Sequence, residues 1–130
     1  MDPETHKEIV EIKKEVKELR QAQDAEFQFN REKYENLIIE AINDDIRTAE
    51  ILLLVDGFRS AKEIEKLTNT PQKTCWRKLD RLVSKDIIYP LEKSKKGSPI
   101  YQKQRWFIKL RLEDFIRNRY FKDVPINATR

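Results

Sequence analysis

The chain has 130 residues, 38% of them charged and 38% hydrophobic, with two glycines, one cysteine and one histidine. That length holds one compact domain and an appendage rather than two full domains, and an apolar fraction below the roughly 45–50% of ordinary globular chains implies a segment outside any core, such as a long solvated helix. The lone Cys75 excludes an intramolecular disulfide framework and a cysteine-cluster zinc site, while the net charge of +4 hides a division: residues 1–45 carry seven Lys/Arg against thirteen Asp/Glu, and residues 46–130 carry twenty against ten.

The acidic segment comes first. Asp2-Pro3-Glu4 is a helix start, with an aspartate placed to accept from free N–H groups and a proline pre-set for the first helical position. Neither Gly nor Pro then occurs until Gly57. Ile9, Ile12, Val16 and Leu19 alternate at spacings of three and four, which keeps one stripe against a partner helix. With Ile9 and Val16 at a and Ile12 and Leu19 at d, Glu8 and Glu15 fall at g, and Lys13 and Arg20 at e. In a parallel pair each g residue meets the partner's e residue five positions on, so Glu8 faces Lys13 and Glu15 faces Arg20, and β-branched residues at a favour two strands. The strict heptad then lapses at Gln23 and Glu26, and apolar positions resume out of phase at Phe27, Tyr34, Ile38 and Ala41, as after a stutter. The helix is expected to reach about Ile42, an arm of roughly 60 Å. A parallel homodimer through Ile9, Ile12, Val16 and Leu19 is the first expectation. An antiparallel pair, a helix folded back on its own domain, and an arm that holds a different protein are the alternatives.

The basic segment opens at Asn43-Asp44-Asp45, three cap-forming residues, and residues 46–55 read as a short apolar helix ended by Asp56-Gly57. Ser60 and Glu63 have the spacing of a capping box, and Ala61, Ile64 and Leu67 are the expected inner face of the helix they start. Thr70 as cap and Pro71 as first residue open a third helix, to about Lys85. Cys75, Leu79, Leu82 and Val83 form its inward face, while Gln72, Lys73, Trp76, Arg77, Lys78 and Arg81 lie outward. Three short helices with a tight second turn describe a helix-turn-helix. Ile87-Ile88-Tyr89 and Ile100-Tyr101-Gln102 are β-prone and flank residues 92–99, a β-hairpin tip with Lys93, Lys95, Lys96 and Gly97. Pro90 lacks an N–H to donate and belongs at an edge or bulge. Residues 110–121 return to helical spacing, with Leu112, Phe115, Ile116 and Tyr120 on one face as a second candidate dimer contact.

The run from Ser60 to Ile88 resembles the winged helix-turn-helix of prokaryotic transcription regulators of the broad ArsR, MarR and TrmB type. Thr74, Leu79, Leu82, Ile87 and Ile88 fit that pattern, and Gly97-Ser98-Pro99-Ile100-Tyr101 resembles the wing tip and returning strand. Asp86 stands where the family usually has glycine, a departure that aspartate tolerates because it can adopt the left-handed conformation. The resemblance covers about residues 45–108. The expected fold is mainly α with a small β-hairpin: an acidic helical arm (1–42), a winged helix-turn-helix domain (43–108), and a C-terminal helix and tail (109–130).

The resemblance implies a homodimeric DNA-binding transcription regulator on double-stranded DNA, with recognition helix 71–85 in the major groove and basic wing 92–99 on the backbone or minor groove. Lys73 and Arg77 stand one turn apart and suit base edges, arginine being able to bind guanine bidentately, and Gln72 suits adenine or a phosphate. Lys78, Arg81, Lys93, Lys95 and Lys96 are assigned to phosphates. The alternative is a winged-helix protein-interaction, architectural, chromatin or segregation module with non-specific or no DNA binding. Trp76 either packs at the core edge or stacks on the DNA, Trp106 and Phe107 belong to the core, Cys75 is a small buried hydrophobe, and His6 is inert. With no Gly-rich phosphate loop, nucleophile elbow or histidine in the basic half, no enzyme, cofactor or metal is expected. No run approaches the ~18 apolar residues of a membrane span, and the N-terminus lacks the features of a signal peptide. A cytoplasmic, nucleoid-associated protein follows, and its charge-rich, glycine-poor composition is similar to that of heat-adapted archaeal or bacterial proteins.

Overall fold

Side-chain caps at Asp45 and Ser60 set two of the helix starts in the structure, a computed structural model that describes residues 3–91 and 97–122. Among those residues the structure is mainly helical, 72%, with one two-stranded antiparallel sheet. In chain order the elements are α1 (Pro3–Phe29), α2 (Arg31–Ile42), α3 (Ile46–Leu54), α4 (Ala61–Thr68), α5 (Gln72–Ser84), β1 (Ile88–Pro90), β2 (Tyr101–Lys103), α6 (Arg105–Lys109) and α7 (Leu112–Tyr120). Among these described residues no helix is long and apolar enough to cross a membrane.

The single helix expected to Ile42 is instead two. Asn30 leaves helical geometry (φ −100°, ψ 19°) while its amide side chain donates to the Glu26 carbonyl at 3.0 Å, the local competition with backbone that asparagine is prone to. α2 then ends on a left-handed Asn43, and Asp45 caps α3 by accepting from the Arg47 N–H at 3.1 Å and the Thr48 hydroxyl at 2.7 Å. The capping box at α4 forms as expected, with Ser60 and Glu63 each covering the other's N–H.

Two expectations about the α4–α5 turn are corrected. Thr70 does not cap α5, and Pro71 takes the cap position ahead of Gln72. The reason is that the Thr70 hydroxyl is drawn inward to the Thr68 hydroxyl at 2.7 Å. Leu67 is 59% exposed rather than inward, because the buried line of α4 runs through Ala61, Ile64 and Thr68, whose hydroxyl is satisfied by the Ile64 carbonyl.

In the hairpin Ile88 pairs with Lys103, Tyr89 with Gln102 and Pro90 with Tyr101. The ladder bonds Gln104 N–H to Ile87 and Leu91 N–H to Ile100, so by alternation the missing N–H of Pro90 points away from the sheet. That is the edge position expected for it, and it also discourages another strand from adding there. On its far side the returning strand is held by Gly57 N–H to the Tyr101 carbonyl at 2.9 Å, Ala61 N–H to the Pro99 carbonyl at 2.8 Å, and a Ser60–Ile100 bridge. Asp86 enters β1 in the left-handed conformation, φ 59°.

One core joins these pieces. It draws Ile38, Ala41 and Ile42 from α2, Ala49, Ile51 and Leu52 from α3, Ile64 from α4, and Cys75, Leu79 and Leu82 from α5. Ile87, Ile88, Phe107, Leu112 and Ile116 belong to it as well. Residues 24–42, read as part of the arm, pack on this core, as does α7. Leu112 and Ile116 are fully buried within the chain, with Phe115 and Tyr120 packed beside them, so the second candidate dimer contact is already covered by the chain itself.

α6, which the sequence reading did not anticipate, is set off from α7 by a left-handed Arg111 (φ 53°) and serves as the arm's seat. Asp24 accepts from Arg105 at 3.1 Å and stands 4.0 Å from Lys109, one turn further along α6. Phe27 meets Tyr34 edge-on, and Tyr34 stacks on Trp106 with centroids 4.6 Å apart. Before Asp24 no residue of α1 is buried, so the helix is not folded back on the body.

Candidate nucleic-acid interface

The basic residues of α5 divide into two groups. On one side they tie the helix to its neighbours. The Lys78 ammonium forms a salt bridge with Asp45, the cap of α3. Arg81 donates from Nε to the Ala41 carbonyl at 3.0 Å and from Nη2 to the Glu40 carbonyl at 3.4 Å, and Lys85 lies 3.6 Å from the Glu40 carboxylate. Ala41 and Glu40 belong to the last turn of α2, whose carbonyls have no partner within the helix and carry the negative end of its dipole. A guanidinium there satisfies both needs. Arg59 on the Leu54 carbonyl and buried Lys103 on the Leu53 carbonyl serve the end of α3 in the same way.

On the other side Gln72, Lys73 and Arg77 are exposed, and among the described residues neither cation has an ion-pair partner. They lie in the first turns of the helix, where the dipole favours anions. Trp76, at the edge of exposure, donates its indole N–H to Glu65 of α4 at 2.8 Å, which holds the ring against the protein on one side. Of the eight residues assigned to DNA, the structure leaves Gln72, Lys73 and Arg77 exposed on one side of α5, with no ion pair among the described residues, and gives Lys78 and Arg81 partners inside the chain. Lys93, Lys95 and Lys96 lie outside the described residues.

The stem of the basic loop is nevertheless placed. Ser98 Oγ accepts from the Lys62 N–H at 3.1 Å, so residues 97–99 stand against the first turn of α4. Lys62 and Lys66, one turn apart and exposed, were not singled out from the sequence. Their signal was present in their phase, out of step with Ala61, Ile64 and Thr68.

At Asp45 desolvation works to raise the carboxyl, but Lys78, the Thr48 hydroxyl and the Arg47 N–H outweigh it and hold the group below its ordinary value. Burial lowers the Lys103 ammonium despite its neighbours Glu113 and Asp56. Burial also pushes the Cys75 thiol up to about 11, the state of an unreactive core cysteine. Among the described residues no three His, Cys, Asp or Glu side chains are grouped to hold a metal ion. Compared with known proteins, the chain matches no family model, no curated protein and no solved structure.

Proposed function

We propose that the chain is a DNA-binding transcription regulator of the winged helix-turn-helix type, a binding protein rather than an enzyme. The observation that carries this reading is the split along α5: Lys78, Arg81 and Lys85 anchor the helix while Gln72, Lys73 and Arg77 stand exposed. A helix braced on one side and open at its basic N-terminal turns is the arrangement a major groove accepts. Support also comes from β2, held by β1 on one side and residues 57–61 on the other, with residues 97–99 standing against the first turn of α4. In this reading Arg77 and Lys73 meet base edges, Gln72 a base or phosphate, and Lys93, Lys95 and Lys96 the backbone. Lys62 is added as a phosphate contact.

The test is a sequence selection on random duplexes followed by anisotropy titrations across salt. Arg77→Ala is expected to weaken the selected site by ~1–3 kcal/mol while leaving thermal stability unchanged. A Lys93/Lys95/Lys96 triple alanine is expected to weaken all duplexes alike and to flatten the salt dependence. If both variants bind like the parent, the reading fails.

A second reading is favoured by the internal partners of Lys78 and Arg81, which reduce the number of free cations on α5. It is an architectural or protein-interaction module. Equal affinity for random and selected duplexes, or none for either, would establish it over the first.

A further inference from the structure

The first 21 residues of α1 that the structure describes, 3–23, form a helix with no buried side chain, and within them Ile12, Val16 and Leu19 are 58%, 43% and 71% exposed. An apolar stripe at alternating spacings of three and four is costly to leave in water, because each side chain gives up the free energy of burial. The charges beside it are as informative. Among the described residues Glu8, Lys13, Glu15 and Arg20 form no ion pair within the chain. They flank the stripe, glutamates on one edge and cations on the other.

We infer that this face binds the same face of a second copy of the chain, in parallel. Parallel alignment sets each g residue against the partner's e residue, giving Glu8 with Lys13 and Glu15 with Arg20 twice over, four attractive contacts around the Ile9, Ile12, Val16 and Leu19 seam. Antiparallel alignment sets g against g and e against e. It would place glutamate on glutamate and lysine on arginine, and like charges at that distance repel. A different protein would need a complementary stripe that happened to carry the same charge order; the chain itself supplies one. The pairing ends where Gln23 and Glu26 interrupt the stripe, and there Asp24 is clamped by Arg105 and Lys109, so two bodies diverge from a common stem. Two heptads make a short seam, and isolated helices under about 12–15 residues are marginal in water, so association rises with concentration.

The inference does not rest on the DNA reading and is tested without DNA. Sedimentation of the full chain is expected to show mass rising from monomer to dimer with concentration. Glu8→Lys with Glu15→Lys is expected to stay monomeric over that range, as is Lys13→Glu with Arg20→Glu, and an equimolar mixture of the two to regain pairing. Restoration in the mixture excludes loss of the helix as the cause. For orientation, Leu19→Cys in a Cys75→Ala background is expected to form a disulfide with its own copy under diamide. A mixture that stays monomeric, a Glu8→Lys/Glu15→Lys variant that associates like the parent, or a Leu19→Cys that links only to Ile9→Cys would overturn it.

Discussion

Leu19 and Leu79 occupy the same kind of sequence environment, a leucine at helical spacing among charged residues, and end in opposite places. Leu79 is wholly buried among α3, α4 and α5, while Leu19 is 71% exposed on an unaccompanied helix. What separates them is the company the chain provides. α5 has capped helices folded against it through short turns, each bringing an apolar face within reach. α1 before Asp24 has no such neighbour, so its stripe waits for a surface from elsewhere. Amphipathic periodicity thus identifies a face that needs covering and leaves open what covers it.

The largest effect that could break this contrast is truncation on either side of it. Leu79→Ala is expected to cost ~2–5 kcal/mol of folding stability, the range for a leucine cavity in a core, and Leu19→Ala less than about 0.5 kcal/mol when measured at concentrations where copies do not associate. Urea denaturation of both variants decides it, and comparable losses would mean that the arm is packed in solution.

Next in size is the junction that holds the sheet to the body. Gly57 has φ 86°, so Gly57→Ala is strained by conformation, and an added Cβ, 2.6 Å from the Gln102 side-chain nitrogen, would also push that amide aside. About 1–3 kcal/mol of stability should be lost, seen as a lower melting temperature. Gly97→Ala, with φ 82° and open space around the new Cβ, should lose less.

Smallest, and the sharpest on the division within α5, is the Asp45–Lys78 tie. The folded-state carboxyl is held below 3.8, so the folded protein binds fewer protons there than the unfolded chain as the pH falls through that region. The stabilisation is present in full above the unfolded value and is lost as pH falls below it through the depressed folded value. Asp45→Ala is expected to cost about 1 kcal/mol at pH 7, from the lost cap, and the gap from the parent should narrow as the pH drops below 3.8. Stability curves for both proteins from pH 7 to 2.5 measure this, and a gap that stays constant would dissociate Asp45 from the effect.

Much of the fold was legible because local chemistry stated it. Ser60 and Glu63 announced their capping box, Asn43 to Asp45 announced the break between α2 and α3, and Asp86 accepted the left-handed position assigned to it. Misreadings came where a side chain had two local choices. Asn30 bonded its own helix, Thr70 turned to Thr68 instead of capping α5, and Leu67 fell outside a buried line only eight residues long. Among the candidate site residues, helical phase placed Gln72, Lys73 and Arg77 correctly on the outer face. Phase alone could not distinguish them from Lys78 and Arg81, since the carbonyls and carboxylate that engage those two lie 33 to 41 residues away in the chain.

Residue order alone carried the elements, their caps and phases, the acidic arm and basic body, and the matched charges along the arm's stripe. All of these depend on neighbours within a turn or two, where spacing translates directly into geometry. Which cations are free, where the arm meets the body, and that α7 closes the core rather than a dimer were settled only by the fold. Each of those depends on groups far apart in the chain meeting in space, as Arg105 meets Asp24 across 81 residues and Lys103 meets Leu53 across 50.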